Sequence, residues 1–245
     1  MPVRQFKNMI PGIDYNEEVP SPYRMPINEL IERYSRLFTG VVHDVLQERG
    51  LHYQWLGPEI KCLTKDLTGQ TVVGYAFTVQ WISDPRPDER DRPAAYMVDS
   101  YPRNSVVVVD AGADPISGFW GDLATLVCLR NGVRGAVING GAKDTGLIRA
   151  MGFPVFARFS TPVDGFFRAR LRGWQIPIWF GDTLIRPWDL IIGDNDGVVV
   201  IPFEHAESVL VEAERRARAE EEIRAFIQAG GSAVQATEIV QRKDL

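Results

Sequence analysis

Cysteine and histidine are scarce in this chain of 245 residues, which contains two cysteines and three histidines. Cys62 and Cys128 lie far apart, form no CxxC motif and have no histidine cluster nearby. A disulfide framework and a structural zinc site are therefore disfavoured, and a reducing, cytoplasmic location is expected. His43, His52 and His205 are scattered, and the sequence contains neither a Ser-His-Asp arrangement nor a phosphate-binding loop.

Excess positive charge and long apolar runs are also missing. The chain has 27 Lys and Arg against 32 Asp and Glu, a formal net charge of −5. This balance disfavours nucleic-acid binding, which requires a basic face. No apolar run reaches the roughly 18 residues needed to cross a membrane, and the first residues lack the apolar core of a signal peptide. We expect a soluble protein with no nucleic-acid and no membrane partner.

The pattern of apolar residues predicts a single α/β domain, 1–245, that mixes parallel and antiparallel sheets. A proline- and tyrosine-rich N-terminal arm is expected at about 1–25 and a C-terminal helical tail at about 204–245. Other helices are predicted at 26–38, 40–49, 121–131 and 145–151, and strands at 69–82, 105–110, 133–138, 154–157, 176–180, 183–185, 190–193 and 197–201.

Three local features complete this prediction. Thr39 is expected to cap the helix at 40–49. Residues 84–93 are charged and proline-rich, which predicts a solvated loop, with a lid near a site as the alternative. Residues 194–197, Asp-Asn-Asp-Gly, look like the start of a calcium loop, but no glutamate closes it, and a tight turn between two strands is predicted instead.

Residues 139–144, Asn-Gly-Gly-Ala-Lys-Asp, are the most informative stretch. They follow the apolar run 133–138, and the two glycines are expected to turn the chain and expose Lys143 and Asp144 before a helix. A carboxylate and a cation at the end of a buried strand suit a metal and an anionic substrate, because Mg²⁺ and Mn²⁺ combine few carboxylates with water and substrate oxygens. The structural alternatives are a helix cap for Asp144 and a solvated ammonium for Lys143.

A second glycine–carboxylate turn, Gly121-Asp122, precedes a predicted helix. The free amides of Leu123 and Ala124 at that helix start could hold a substrate carboxylate, with Asp122 as a base or proton relay. The structural alternative for Asp122 is a helix cap or a favourable partner of the helix dipole.

Glu220 falls on the apolar stripe of the C-terminal helix. Burying an unpaired carboxylate is costly. We expect Glu220 either to reach solvent or to point at the site of a neighbouring subunit.

Several stretches resemble the RraA-like family, which contains class II 4-hydroxy-4-methyl-2-oxoglutarate/4-carboxy-4-hydroxy-2-oxoadipate aldolases and regulators of ribonuclease E activity. The stretches that carry the resemblance are 106–112, 120–124, 132–140, 143–144, 148–157 and 193–202. The resemblance implies a swivelling β/β/α fold assembled as a trimer or a dimer of trimers, with sites between subunits. It also implies that Asp144 binds Mg²⁺ or Mn²⁺, that Gly121 and the amides of Leu123 and Ala124 hold a pyruvate-like carboxylate, and that Asp122 contacts water on the metal.

Two positions depart from the family pattern. Lys143 stands where the aldolases have an arginine, and Asn139 stands where the family usually has an aspartate. A guanidinium fork and an ammonium are not interchangeable, so the usual aldolase substrate is in question.

The expected function is a metal-dependent lyase that releases pyruvate from a 2-oxo acid, either by retro-aldol cleavage or by decarboxylation of oxaloacetate. Lys143, Asp122 and Glu220 are the candidate catalytic residues. Schiff-base chemistry at Lys143 is an alternative mechanism. A protein-binding regulator similar to the ribonuclease E inhibitors, and a non-catalytic paralogue, are the alternative functions.

Overall fold

The computed structural model describes residues 14–15, 21–84, 91–165 and 168–236. The helices are α1 Ile27–Tyr34, α2 Thr39–Glu48, α3 Asp91–Asp99, α4 Asp122–Asn131, α5 Thr145–Ala150 and α6 Ala206–Gln228, with a 3-10 turn at Phe203–His205. The strands are β1 Asp14–Tyr15, β2 Lys61–Cys62, β3 Val72–Ser83, β4 Ser105–Asp110, β5 Gly135–Ala142, β6 Val155–Ser160, β7 Ala169–Trp174, β8 Ile178–Phe180, β9 Thr183–Ile185, β10 Leu190–Gly193 and β11 Val198–Ile201.

Four parallel strands in the order β3-β4-β5-β6 form the centre of the main sheet. The long strand β3 pairs with β4 on one side; on its other side it pairs antiparallel with β10 over its first part and with β7 over its last part. The remaining strands extend this sheet at its margins, apart from the separate β8–β9 hairpin. The mixed parallel and antiparallel α/β architecture confirms the predicted fold class.

Valine-rich strands explain why the sheet lies at the centre of the molecule. All six residues of β4 and all eight of β5 are buried, as expected for strands covered on both faces. One apolar cluster joins β3–β6 to α3, α4 and α5, and a second joins α1, α2 and α6 to β10 and β11. The carboxyl ends of the parallel strands thus meet beside α4 and α5.

Most predicted elements are present with shifted ends. The bounds of β4, β9 and β10 agree with the prediction, and residues 194–197 form the predicted turn, closed by a hydrogen bond of 3.0 Å from the Asp194 amide to the Gly197 carbonyl. Thr39 does not cap α2; it is the first residue of that helix.

The prediction that Gly140 and Gly141 turn the chain is wrong, because β5 continues through them to Ala142. A Cβ atom on Gly141 would lie 2.7 Å from the Phe159 ring and 2.8 Å from the Ser117 carbonyl oxygen. The glycine is therefore needed for close approach of neighbouring chain segments.

The sequence prediction missed α3, β7 and the two-residue strands β1 and β2. Helix α3 begins at Asp91, inside the predicted loop 84–93, and residues 85–90 lie outside the described part of the chain. Of the predicted arm, residues 1–13 and 16–20 lie outside it too, as do residues 237–245 of the predicted tail. No helix within the described ranges is long and apolar enough to span a membrane.

Candidate active site

A cavity of about 520 Å³ lies at the carboxyl end of the parallel strands. Its lining comes from the end of β3, the segment before α4 and that helix's first turn, the β5–α5 junction and the segment after β6. The lining residues are Trp81, Gly118, Phe119, Trp120, Gly121, Asp122, Leu123, Ala124, Lys143, Asp144, Asp164 and Gly165. The structure therefore places six of the seven predicted site residues around one cavity.

Backbone hydrogen bonds join the segments around this cavity. The Lys143 amide donates to the Trp120 carbonyl at 2.8 Å, and the Phe119 amide donates to the Gly141 carbonyl at 2.9 Å. The Gly118 amide donates to the Val163 carbonyl at 2.8 Å, which ties in the segment after β6. Side chains carried by these segments are consequently held at fixed relative positions.

Asp144 precedes α5 in a left-handed backbone conformation, with φ of 56°. Its carbonyl accepts the amides of Leu147 and Ile148 at 2.9 and 3.1 Å, but no side-chain hydrogen bond caps the helix. Asp144 is therefore the N-cap residue of α5 through its backbone, as the helix-cap alternative has it, but its carboxylate makes no capping hydrogen bond and is available to the cavity that Asp144 lines. A left-handed conformation in a non-glycine residue is uncommon and is often found at functional sites.

Gly121 provides space for the Asp144 carboxylate. A Cβ atom at Gly121 would lie 3.0 Å from the Asp144 Oδ2 atom. The two glycine–carboxylate segments recognised in the sequence therefore converge in space.

The first turn of α4 presents free amides to the cavity. Gly121 precedes the helix, and its carbonyl accepts the Thr125 amide at 3.2 Å, which is the first helical hydrogen bond. The amides of Asp122, Leu123 and Ala124 come before that donor, so the helix itself leaves them without acceptors. Asp122 makes no side-chain cap, contrary to the cap alternative, but it is an acidic residue in the first turn of α4, as the helix-dipole alternative requires. Such a helix start attracts an anion.

Lys143 forms an ion pair with Asp164, with 2.8 Å between Nζ and Oδ2. The hydrogen bond and charge of Asp164 raise the pKa of Lys143, and the charges of Asp144 and Asp122 raise it further. A raised pKa keeps the ammonium protonated at neutral pH, which disfavours the Schiff-base alternative because that chemistry starts from a neutral amine.

The sequence analysis missed one charged residue of the described lining, Asp164, and the aromatic residues Trp81 and Phe119. Asp164 lies in Val163-Asp164-Gly165, another aspartate–glycine pair, and that similarity to Gly121-Asp122 was the available signal. Its pairing with Lys143, 21 residues earlier, depends on the path of β6.

A divalent cation with few protein ligands fits this cavity. No group of three or more His, Cys, Asp or Glu that could hold a metal occurs in the described ranges. The described residues therefore do not form a site in which protein ligands alone would hold a metal. Mg²⁺ and Mn²⁺, however, accept one or two carboxylates together with water and substrate oxygens. The Asp144 carboxylate, in the space left by Gly121, is the residue best placed for this role, and Asp122 is its acidic neighbour.

Glu220 is the predicted site residue that the structure does not bring to the cavity of its own chain. It lies on α6, where burial raises its pKa, as does the charge of Asp44 on α2. A contribution from Glu220 to the site of a neighbouring subunit stays a prediction.

Asn139 has a structural position within the sheet. It is buried, donates from Nδ2 to Asp110 Oδ1 at 2.9 Å and accepts the Arg158 Nε–H at 2.7 Å. Its amide bridges a carboxylate and a guanidinium and does not line the cavity.

The chain belongs to the RraA-like family, because the family model described as Aldolase/RraA matches residues 39–200. This confirms the resemblance seen in the sequence.

Among curated relatives, the chain is 35% identical over 155 residues to a Halalkalibacterium halodurans protein named "Putative 4-hydroxy-4-methyl-2-oxoglutarate aldolase", covering 62% of this chain and 70% of the relative. It is 31% identical over 170 residues to Protein DlpA of Legionella pneumophila, covering 69% of this chain. The match spans only 28% of the length of DlpA.

Solved structures share the fold over most of the chain. A structure described as novel cellulases from gut-associated microbes has a TM-score of 0.78 and 30% identity, covering 90% of this chain and 95% of its own. The structure of Streptomyces coelicolor RraAS2, an unusual member of the RNase ES inhibitor RraA protein family, has a TM-score of 0.72 and 25% identity. The match covers 82% of this chain and 99% of the RraAS2 chain.

Proposed function

We propose that this protein is a divalent-metal-dependent lyase that cleaves a carbon–carbon bond of a 2-oxo acid and releases pyruvate. The observation that carries the proposal is the convergence of Asp144, Lys143 and the open start of α4 on one cavity. Similarity to relatives named as aldolases supports the same reaction class.

Substrate binding divides between the two sides of the cavity. The amides of Leu123 and Ala124 bind the carboxylate of the 2-oxo acid, because helix-start amides favour an anion. The Lys143 ammonium has three donors, so it can bind a substrate oxygen while it remains bonded to Asp164.

Cleavage by the retro-aldol route breaks the C3–C4 bond of a 4-hydroxy-2-oxo acid. The C4 hydroxyl loses its proton and becomes a carbonyl, while the bonding electron pair passes to C3 and gives the enolate of pyruvate. Asp122 accepts or relays the proton, and a proton taken up at C3 completes pyruvate. In oxaloacetate the leaving fragment is carbon dioxide.

Positive charge in the cavity stabilises the negative charge that develops on the substrate as the enolate forms. Lys143 places a fixed positive charge beside the oxygen that becomes negative. A divalent cation held by Asp144 would supply further positive charge to the substrate oxygens.

The test measures pyruvate release from oxaloacetate, 4-hydroxy-4-methyl-2-oxoglutarate and 4-hydroxy-2-oxo-4-phenylbutanoate with Mg²⁺ or Mn²⁺, and then with EDTA. We expect chelator-sensitive release above the metal-only background. Asp144→Asn should lower kcat by about 100-fold or more. Asp182→Asn, at an exposed turn, should leave kcat unchanged. Release from none of the three acids, or full activity in Asp144→Asn, would reject the proposal.

A protein-binding regulator is the second candidate, favoured by the similarity to RraAS2. Such a protein would capture a ribonuclease in a pull-down, and capture would persist with EDTA and in the Asp144→Asn variant.

Under the lyase proposal the chain assembles as a homo-oligomer, either a trimer or a dimer of trimers, and works in the cytoplasm.

A further inference from the structure

The charged side chains of the cavity set a limit on the charge of the substrate. Within the described lining, Asp122, Asp144 and Asp164 are acidic and Lys143 is basic. A divalent cation would bring this set of four side chains to neutrality. The α4 amides then provide for one substrate carboxylate, and Lys143 is the single cationic side chain in the described part of the lining.

Asp164 makes a second substrate carboxylate unfavourable. Its Oδ2 atom lies 2.8 Å from Lys143 Nζ, so the single ammonium among the described lining residues is already bonded to a protein carboxylate. A distal substrate carboxylate that approached Lys143 would also approach the negative charge of Asp164. The backbone bonds that join Gly118 to Val163 and to Gly165 keep Asp164 in this place.

The rest of the wall is aromatic. Trp81, near the end of β3, and Phe119, before α4, line the cavity with ring centroids 6.0 Å apart. Both side chains are only partly buried, so they retain surface that a ligand can cover. An apolar or aromatic group gains free energy by covering such a surface, whereas a carboxylate loses hydration there.

We propose that the preferred substrates are 4-hydroxy-2-oxo acids that carry one carboxylate and an uncharged apolar or aromatic group at C4, rather than dicarboxylates. This inference rests on the proposed lyase function and specifies the fragment released with pyruvate as a neutral aldehyde or ketone. The Lys143–Asp164 pair selects against a second negative charge, and Trp81 with Phe119 binds the apolar group.

The test compares kcat/KM for two acids with the full chain and Mn²⁺. The probes are 4-hydroxy-2-oxo-4-phenylbutanoate, with one carboxylate, and 4-hydroxy-4-methyl-2-oxoglutarate, with two. We expect the wild-type chain to prefer the phenyl acid by at least about tenfold. Asp164→Asn removes the repelling charge and should shift the ratio of the two kcat/KM values toward the dicarboxylate by about tenfold.

Trp81→Ala supplies a second, independent variant. It should lower kcat/KM for the phenyl acid by about tenfold more than kcat/KM for the dicarboxylate, because the dicarboxylate has no ring to pack on Trp81. Asp182→Asn is the matched control for both variants. A wild-type preference for the dicarboxylate, or an unchanged ratio in both variants, would overturn this inference while leaving the lyase in place. Absence of pyruvate from both acids would overturn the inference and argue against the lyase as well.

Discussion

Gly121 and Gly146 lie on either side of Asp144 in the sequence, yet their surroundings differ. A Cβ atom on Gly121 would meet Asp144 Oδ2 at 3.0 Å, whereas a Cβ atom on Gly146 would meet nothing within 4 Å. Gly121 has φ of −149°, an extended conformation open to any residue. A methyl group at Gly121 would therefore displace the carboxylate without straining the backbone.

We expect Gly121→Ala to lower kcat for pyruvate release by about 10- to 100-fold, because displacement of a site carboxylate disturbs the reacting geometry. Its melting temperature should stay close to that of the wild type. Gly146→Ala is the matched control, and it should raise the free energy of unfolding by about 0.5–1 kcal/mol because Gly146 lies inside α5. Equal kcat values for the two variants would show that Gly121 is not needed beside Asp144.

At the level of residues, the sequence predicted half of those that line the cavity, because glycine near aspartate is a local signal. It could not predict the ion pair of Lys143 with Asp164, since that contact depends on where β5 and β6 end. Nor could it predict the surroundings of Glu220, which come from the packing of α6 on α2.

At the level of elements, the start of α2 is held by a residue from a distant turn. The buried Asp194 carboxylate accepts the Thr39 amide and the Thr39 hydroxyl, each at 2.8 Å, and the Asp196 amide at 2.9 Å. The prediction that Thr39 caps the helix was wrong because a side chain 155 residues away provides the acceptor.

Asp194→Ala should lower the free energy of unfolding by about 2–4 kcal/mol, because it leaves three donors near a buried position without their acceptor. Urea denaturation followed by circular dichroism measures this change as a lower midpoint. Asp196→Ala in the same turn has an exposed side chain and should stay within about 0.5 kcal/mol of the wild type. A common midpoint for both variants would contradict the role given to Asp194.

The two longer elements that the sequence prediction missed, α3 and β7, have weak local signals for physical reasons. Helix α3 contains Pro93, and proline in a sequence usually predicts the end of a helix. Proline is tolerated in the first turn, because amides there have no acceptor within the helix. Strand β7 alternates arginine with small or apolar residues, a composition that does not strongly favour a strand. Its hydrogen-bonded pairing with β3 stabilises the extended conformation instead. By contrast, the buried valine run of β4 identified that strand without tertiary information.

At the scale of the whole molecule, apolar side chains are exposed beside the cavity. Leu123 and Leu126 on α4 are 73% and 49% exposed, and Leu147 on the adjacent α5 is 57% exposed. Exposed apolar groups clustered in this way favour association with another surface. We expect copies of this chain to cover these leucines, which would place a neighbouring subunit next to the cavity that Leu123 lines.

Leu126→Glu should therefore weaken self-association, because each subunit would bury a charge in an apolar contact. Light scattering coupled to size-exclusion chromatography should give a mass of three or six chains for the wild type and a smaller mass for the variant at micromolar concentration. Val211→Glu is the matched control: Val211 is 59% exposed on α6, and its substitution adds the same charge away from the cavity. A single-chain mass for the wild type, or the same mass for Leu126→Glu and Val211→Glu, would show that the leucines beside the cavity do not hold copies together.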